Sequence, residues 1–304
     1  MNDVKNTHIP QGAPLNPRTL AGRWGGTVAA WAVLLVGCGP APEPTAKIVN
    51  SLNPPTSIRM TVATLSPGAT RFVLGLGGRN LLVGVDPESS ELPGTENLPT
   101  LNLESARQLA PRLIIGPKLP SGVAPSDSPT PSKVSEYVEY APHNLADVFE
   151  LCRTLGRRLV GLVGATQFER EITRPLALMT PSSFRQDRPR IAAVMNWAPL
   201  ELAGGHSFAT DLIEIAGGNS VTHGGEEYRL VPDSETWQRL APELVLVLSR
   251  APLSAAQREN AHTTLPPEYP ILFFSFDPDR LLLPKFASVA ESLQAELRSQ
   301  RAAR

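Results

Sequence analysis

RQLAPRLIIG, at residues 107–116, and QRLAPELVLV, at residues 238–247, are two versions of one sequence pattern. Leu109-Ala110-Pro111 in the first copy matches Leu240-Ala241-Pro242 in the second at an offset of 131 residues (240 − 109). Both copies then enter an apolar run of the length of a buried strand. The repeat therefore predicts two lobes of similar structure within the chain.

Strands and helices alternate in both halves of the chain. In the first half a helix ends at Gly77-Gly78, and in the second half Gly217-Gly218 ends a helix at an offset of 140 residues (217 − 77). Apolar strands are predicted at 81–85, 113–115 and 191–195. Because this alternation is typical of parallel sheets, we predict an α/β fold of two Rossmann-like lobes with parallel sheets.

Apolar residues at steps of three and four positions link the two halves. They are Leu145, Val148, Phe149, Cys152, Leu155, Leu159 and Leu162. This spacing predicts one apolar stripe on one long α-helix, and Asn144 is placed to cap its start. We therefore predict that a single long helix joins the lobes.

The first 37 residues have the pattern of a secretory signal. The run GGTVAAWAVLLV, at 25–36, carries no charge and is shorter than the about 20 residues that span a bilayer. It ends at Leu35-Val36-Gly37-Cys38, which resembles the bacterial lipobox, where the cysteine is lipidated. We expect Cys38 to carry a lipid anchor, followed by a proline-rich tether. The predicted segments are a signal peptide at 1–37, the tether at 38–57, a first lobe at 58–143, the connecting helix at 144–182 and a second lobe at 183–304.

Composition excludes several classes of protein. The chain has 304 residues, of which 41% are hydrophobic, so it can form a sizeable core. Its formal net charge of −1 gives no bulk attraction to nucleic acid. Two cysteines cannot form a disulfide scaffold or a four-cysteine metal site. A Gly-x-Ser-x-Gly elbow, a phosphate-binding loop and a His pair at i, i+4 are all absent, so we expect neither an enzyme nor a bare-metal site.

Four stretches in this order resemble the periplasmic binding proteins of ABC importers, specifically the helical-backbone (class III) group that captures cobalamin, haem and ferric siderophores. They are LSPGATRFVLGLGGRNLLVGVD, LNLESARQLAPRLIIG, LAGGHSFATDLIEIAGGNS and DSETWQRLAPELVLV. The resemblance covers about residues 58–300 and departs at 117–142, where that group has a longer section. It implies two Rossmann-like lobes, a rigid connecting helix and a ligand held between the lobes.

Topology indicates which residues line that cleft. In open α/β sheets, ligands bind beyond the carboxyl ends of the parallel strands. Tyr228 follows a glycine pair on a loop that can reach the same place. The candidate ligand-binding residues are Ser66, Pro67, Asp86, Trp197, His206, Tyr228 and Arg250.

The ligand class is left open between three possibilities. Trp197 and Tyr228 on loops favour a flat, partly apolar macrocycle. Arg229, Arg250 and Lys118 are few cations for an anionic ferric siderophore. We therefore expect cobalamin or another corrinoid, with a ferric siderophore or haem as the alternative, and no resident cofactor.

The resemblance implies delivery of the ligand to an ABC permease dimer with its ATPase by a monomeric extracytoplasmic lipoprotein. A ligand-sensing or enzymatic periplasmic lipoprotein is the alternative class.

The repeat also pairs two glutamates. Adding the offset of 131 to 104 gives 235, and Glu104 and Glu235 each stand two residues after a predicted N-cap, Asn102 or Asp233. Acidic residues in a first helical turn are also favoured by the helix dipole, by about 0.3–1 kcal/mol. The resemblance implies that one acidic residue per lobe docks against arginines of the permease dimer.

Overall fold

The first lobe is built on a sheet whose two central strands are wholly buried. A computed structural model of the chain describes residues 60–121, 135–179, 185–278 and 283–302. In it, Leu113–Gly116 is wholly buried, as expected of a near-continuous apolar run in a parallel sheet. All four strands of this sheet are parallel, in the order β2-β1-β3-β4. Its elements are β1 (Val62–Thr64), α1 (Pro67–Gly75), β2 (Leu82–Gly84), α2 (Leu103–Leu109), β3 (Leu113–Gly116) and β4 (Glu136–Glu139).

The second lobe has a mixed sheet instead of the parallel sheet that the sequence predicted. Its order is β10-β9-β5-β6-β8, with β7 also paired to β5. Strands β10, β9 and β5 are parallel, whereas β6 pairs antiparallel with both β5 and β8. Its elements are β5 (Arg190–Trp197), β6 (Leu200–Ala203), α5 (Phe208–Ile215), β7 (Asn219–Ser220), β8 (Arg229–Leu230), α6 (Ser234–Leu240), β9 (Leu244–Ser249), α7 (Ala255–Thr264), β10 (Ile271–Ser275) and α8 (Phe286–Ala302).

The internal repeat is confirmed at the level of backbone conformation. Helices α2 and α6 both end at an alanine in the left-handed region, Ala110 with φ 49° and Ala241 with φ 39°. Helices α1 and α5 are both followed by a glycine with positive φ, Gly77 at 77° and Gly217 at 90°. Equivalent sequence signals therefore end equivalent helices in the two lobes.

The segment that joins the lobes is helical but is not one straight rod. It consists of α3 (Leu145–Leu151), a π-helical turn (Cys152–Gly156) and α4 (Arg157–Leu178). Asn144 caps its start, as predicted, by accepting a hydrogen bond from the Asp147 amide at 2.8 Å. Within α4, Gly161 has φ 76° and ψ 174°, which are not helical values.

The chain folds back at Gly161. A continuous helix would separate residues 153 and 169 by about 24 Å at 1.5 Å per residue. The Arg153 guanidinium nevertheless lies 3.7 Å from the Glu169 carboxylate. The predicted apolar stripe consequently ends at Leu159, and Leu162 beyond the break is 59% exposed. The connection is a helical hairpin, and the part of α4 after Gly161 leads to the second lobe.

One apolar cluster runs through both lobes and the hairpin. Phe72 of α1, Phe168 and Ile172 of α4, Leu212 of α5 and Phe286 of α8 all belong to it and are buried. The described residues lie in one compact unit, Thr56–Arg304. The two lobes therefore share a core, which sets the walls of the space between them.

Candidate functional site

A cavity of about 1060 Å³ lies between the two lobes. In the first lobe it is bordered by residues that follow β1, β3 and β4, and in the second lobe by residues at the ends of β5, β9 and β10. This is the carboxyl edge of the parallel strands, where open α/β sheets bind ligands. Five of the seven predicted ligand-binding residues line it: Ser66, Pro67, Trp197, Tyr228 and Arg250.

The first-lobe wall is formed by the start of α1. The Ser66 hydroxyl caps this helix by accepting a hydrogen bond from the Ala69 amide at 3.3 Å, and Pro67 occupies its first turn. A Cβ on Gly68 would lie 2.9 Å from the Tyr140 ring, so the tyrosine packs directly against this turn. The start of α1 therefore explains why serine, proline and glycine stand at positions 66–68, and all three line the cavity.

Asp86 lies elsewhere than the sequence predicted. Its side chain is buried within the first lobe and does not line the cavity. The carboxylate accepts hydrogen bonds from the Ser89 amide at 3.1 Å and from the Thr70 hydroxyl at 3.2 Å. It caps the short 3₁₀ turn Pro87–Ser89, and Glu88 of that turn lines the cavity instead.

Tyr228 is held at the cleft by a close approach of two backbones. The Gly204 amide donates to the Tyr228 carbonyl at 2.8 Å, and the His206 amide donates to the Glu227 carbonyl at 3.1 Å. A Cβ on Gly204 would come within 2.0 Å of the Glu227 carbonyl oxygen, so this position requires glycine. The His206 side chain is exposed and does not line the cavity, whereas its backbone supports the loop that carries Tyr228.

The floor of the cleft is the strip Tyr140–His143, which the sequence analysis missed. Its residues Tyr140, Ala141, Pro142 and His143 all line the cavity. The strip follows β4, whose sequence EYVE is half polar and was not recognised as a strand. The rule that ligands bind beyond strand ends would have selected these residues if the strand had been predicted.

The floor strip also ties the two lobes together. The His143 carbonyl accepts a hydrogen bond from the Phe208 amide at 2.6 Å, at the start of α5. The Leu145 amide donates to the Asp211 carboxylate at 2.7 Å. The His143 ring lies against the Tyr228 ring, with 4.4 Å between centroids and 34° between planes. A first-lobe strand end is thus joined to the second lobe at the base of the cleft.

Charges of both signs line the cavity. Three arginines, Arg71, Arg229 and Arg250, are accompanied by three carboxylates, Glu88, Glu201 and Asp277, among the described lining residues. The Arg229 guanidinium pairs with the Glu201 carboxylate at 3.0 Å and lies over the Tyr228 ring. The described lining is therefore close to neutral overall, with cations and anions interspersed.

The described residues provide neither a cluster of metal-ligating side chains nor a reactive thiol. Within them, no three or more His, Cys, Asp or Glu side chains come together to hold a metal ion. Burial raises the pKa of the Cys152 thiol to about 12, and the Glu169 carboxylate adds to this effect. A thiol that stays protonated at neutral pH is a poor nucleophile, so Cys152 is a core residue.

The paired glutamates occupy equivalent positions. Glu104 in α2 and Glu235 in α6 are both exposed and both stand in the first turn. The side chains of Asn102 and Asp233 cap the two helices, at 2.9 Å to the Ser105 amide and 2.7 Å to the Thr236 amide. Docking of a partner on these glutamates stays a prediction.

The predicted lipidation site, Cys38, and the predicted signal and tether lie outside the described residues. Among the residues described, no helix combines the length and the apolar character that crossing a bilayer requires.

Comparison of the sequence with protein families and with curated proteins finds no match. The structure, in contrast, is similar to many solved structures. An ABC transporter substrate-binding protein from Listeria monocytogenes superposes with a TM-score of 0.59 at 16% identity, covering 77% of this chain and 98% of that one. The periplasmic vitamin B12-binding protein of Vibrio cholerae gives 0.52 at 15% identity, covering 80% and 98%. A periplasmic heme-binding protein from a Roseiflexus species gives 0.55 at 20% identity, covering 79% and 98%.

At these identities the likeness concerns the fold. The chain therefore has the fold of the class III periplasmic binding proteins.

Proposed function

We propose that this chain is an extracytoplasmic substrate-binding protein that captures a small molecule between its lobes and delivers it to an ABC permease dimer with its ATPase. The observation that carries the proposal is the cavity of about 1060 Å³ at the carboxyl ends of the strands of both lobes. Its volume is at the upper end of the roughly 300–1,000 Å³ of ligand sites in proteins, so it suits a large ligand. The solved structures of the same fold include an ABC transporter substrate-binding protein and a periplasmic vitamin B12-binding protein.

Cobalamin or another corrinoid is the ligand that we favour. The aromatic side chains Tyr140, Trp197 and Tyr228 line the cavity and offer flat apolar faces. The three lining arginines are matched by three carboxylates, and a multiply anionic ferric siderophore would meet repulsion from the latter. A corrinoid carries mainly neutral amides, which hydrogen-bond to either sign of charge. A ferric siderophore or haem is the alternative ligand of the same site.

A ligand-sensing or enzymatic role on the same fold is the alternative function. It would require the bound molecule to be altered, or its binding to be signalled to a partner other than a permease. The described cavity lining offers His143 and carboxylates but no cysteine or serine activated by an adjacent base. Recovery of the ligand unchanged after incubation with the protein would favour transport over catalysis.

The ligand is tested by titration of the purified protein with cobalamin, cobinamide, haemin and a ferric siderophore, followed by calorimetry and thermal melting. We expect a corrinoid to bind and to raise the melting temperature. Trp197→Ala should weaken that binding by about 1–3 kcal/mol, or roughly 5–150-fold, if the indole is a stacking face. Phe273→Ala on the edge strand β10 is the control. It also removes a large ring, but Phe273 is not among the lining residues, so the affinity for the corrinoid should stay unchanged. Absence of binding by every corrinoid would reject the corrinoid, and binding of haemin or the siderophore would replace it.

The same proposal includes attachment to the membrane through a lipid on Cys38. Residues 38–57 form the tether, and the protein is a monomer. Several acyl chains are needed for firm attachment, because one chain binds only marginally. Cys38→Ser should release the protein from the membrane fraction or leave an unprocessed precursor. Unchanged fractionation together with unchanged precursor size would contradict the anchor.

A further inference from the structure

We propose that the exposed side of α4 beyond Gly161 binds the surface of an anionic lipid bilayer, through arginines that pair with lipid phosphates and apolar side chains that enter the headgroup region. This inference goes beyond the proposed function and does not depend on the identity of the ligand. It concerns the folded lobes themselves, in addition to an anchor at the start of the chain.

The exposed side of α4 is a row of residues at steps of three and four positions, which places them on one side of a helix. This row, the outer face of α4, consists of Val163, Gln167, Arg170, Arg174 and Leu178, all of them exposed. Phe168 and Ile172 lie on the opposite side and are buried in the core that the lobes share. The outer face is 178 − 163 steps of 1.5 Å long, or about 22 Å.

Exposed apolar side chains stand at both ends of the outer face. Val163 is 83% exposed and Leu178 is 84% exposed. Together with Leu162, they are three of the five large hydrophobic residues that are exposed in the described part of the chain. Single exposed apolar residues are common on protein surfaces, so it is the concentration of three on one helix that indicates a binding surface.

The arginines at the centre of the outer face carry charge that is not neutralised. Neither Arg170 nor Arg174 makes an ion pair or a hydrogen bond through its guanidinium within the residues that the structure describes. The acidic residue next to them, Glu171, accepts a hydrogen bond from the Gln167 side-chain amide at 3.0 Å. Two cations and one anion leave the face positive in a chain whose net charge is −1. The outer face therefore attracts anions.

An anionic bilayer fits this arrangement better than a protein partner does. The core of a protein interface is a continuous patch that is depleted of charge, whereas two arginines separate the apolar ends of the outer face. A second copy of the chain would set arginines against arginines in a twofold contact. At a bilayer the apolar ends enter the boundary between headgroups and acyl chains, and the guanidinium groups reach the phosphates.

Contact through the outer face leaves the cleft open. The described residues that line the cavity stand around the carboxyl ends of strands, and none of them belongs to α4. The paired glutamates, Glu104 and Glu235, belong to α2 and α6. A protein that lies on a bilayer through α4 can therefore still take up a ligand.

The test places an environment-sensitive fluorophore, bimane, at single positions of the full chain. Cys38→Ser removes the exchangeable thiol at the predicted anchor, and the Cys152 thiol is buried in the folded protein. Bimane on Val163→Cys or Leu178→Cys should shift its emission to shorter wavelength on vesicles of phosphatidylglycerol and phosphatidylethanolamine, but not on phosphatidylcholine vesicles. Bimane on Val231→Cys is the matched control, because this valine of the second lobe is also exposed, at 69%, and its label should not shift.

The label reports only its own surroundings. Attachment of the chain to a vesicle through its first residues therefore does not by itself produce a shift at position 163 or 178.

The contribution of the arginines is measured in the Val163→Cys chain. Arg170→Gln with Arg174→Gln should raise the lipid concentration at half-maximal shift by roughly tenfold or more, because each basic residue at an anionic surface adds to binding. Arg258→Gln with Arg298→Gln removes two exposed arginines from α7 and α8 and should leave that concentration unchanged. High salt should weaken the shift, because it screens exposed charges.

Three results would overturn the proposal. They are absence of a shift at 163 and 178 on anionic vesicles, an equal shift at 231, and a shift that the two central arginines do not affect. A response of the label to heparin or DNA without a response to vesicles would also overturn it and would give the face a different partner. Unchanged melting temperatures of the variants show that folding does not cause the result.

Failure of this proposal and failure of the proposed function are distinguishable. Ligand binding is measured without lipid and vesicle binding is measured without ligand, so each can fail while the other stands. The outer-face variants should bind the ligand as the wild type does.

Discussion

Asp211 is a partly buried carboxyl at the junction between the lobes. It stands in the first turn of α5 and accepts the hydrogen bond of the Leu145 amide at the start of α3. Burial raises its pKa above the ordinary value, and the Asp147 carboxylate adds to this. The Leu145 hydrogen bond and the nearby His223 and His206 act in the opposite direction. The folded state therefore holds the Asp211 proton more tightly than the unfolded state does.

The raised pKa of Asp211 predicts how the free energy of unfolding depends on pH. Its contribution is present below the ordinary pKa of about 4 and is lost as the pH rises through the higher folded-state pKa. Asp211→Asn is neutral at every pH and keeps an oxygen that accepts from Leu145. The unfolding free energy of Asp211→Asn minus that of the wild type should thus increase from pH 4 to pH 7, as measured by urea denaturation.

The control for this measurement is Asp233→Asn on an exposed helix cap. Hydrogen bonds from Thr236 lower the pKa of Asp233, so its contribution is present above pH 4 and lost in acid. The unfolding free energy of Asp233→Asn relative to the wild type should therefore change with pH in the opposite direction. A pH-independent difference for Asp211→Asn would show that burial does not disfavour its charged form.

At the scale of the element, Gly161 decides the shape of the connection between the lobes. Its φ of 76° and ψ of 174° lie in a region open essentially to glycine alone. A Cβ added there would meet no atom within 4 Å, so a substitution is opposed by backbone strain and not by a clash. The same glycine lets α4 turn back along the π-helical segment.

Gly161→Ala is expected to lower the free energy of unfolding by about 1–3 kcal/mol because alanine is strained in this conformation. Gly224→Ala is the matched control, since a Cβ there also meets no atom within 4 Å and no positive φ is involved. It should be neutral or stabilising by up to about 1 kcal/mol. Equal effects of the two substitutions in urea denaturation would contradict the role given to the backbone of Gly161.

For the two alanines that end α2 and α6 in the left-handed region, we expect substitution to raise the free energy of unfolding. Ala110 and Ala241 have positive φ, which glycine adopts without the Cβ penalty. Ala110→Gly and Ala241→Gly should each stabilise the protein by about 0.5–1 kcal/mol after the greater chain entropy of glycine is counted. Ala216→Gly, at a right-handed helix end, should instead destabilise it. Thermal melting measures all three, and loss of stability in the first two would show that the helix ends are not strained.

At the scale of the whole molecule, the internal repeat places one acidic side chain of each lobe on the surface. Glu104 and Glu235 are exposed at the same point of equivalent helices. A partner with twofold symmetry could meet both carboxylates in equivalent ways. Exposed charges of this kind act mainly on orientation and association rate and are weakened by salt.

The double variant Glu104→Ala, Glu235→Ala should fold and bind ligand as the wild type does while ligand uptake by cells falls. Glu259→Ala with Glu291→Ala removes two exposed glutamates from α7 and α8 and is the matched control, which should leave uptake unchanged. Uptake, ligand affinity and melting temperature are the measurements. Normal uptake, or a large loss of stability in the first variant, would mean that these glutamates serve only their helices.

The sequence by itself determined the α/β class, the two lobes, the helix ends at the glycines, and the edge at which the cleft lies. These features depend on local conformation and on hydrophobic periodicity, which neighbouring residues set. Trp197 and Arg250 were found because they stand at the ends of strands with clear apolar runs, and Tyr228 was found because it follows a glycine pair on a loop; all three line the cavity.

The tertiary structure alone decided the rest. The Asp86 side chain is buried in the first lobe, where its carboxylate accepts hydrogen bonds from the Thr70 hydroxyl and the Ser89 amide. Neither partner is recognisable as such from the sequence. Helical periodicity continues through Gly161, so the fold-back becomes visible only when α4 packs beside the π-helical turn. His143 reached the cleft through β4, whose polar residues hide a strand that is held by pairing with β3. Each of these features depends on residues far apart in the chain, and a sequence pattern does not record which of them meet.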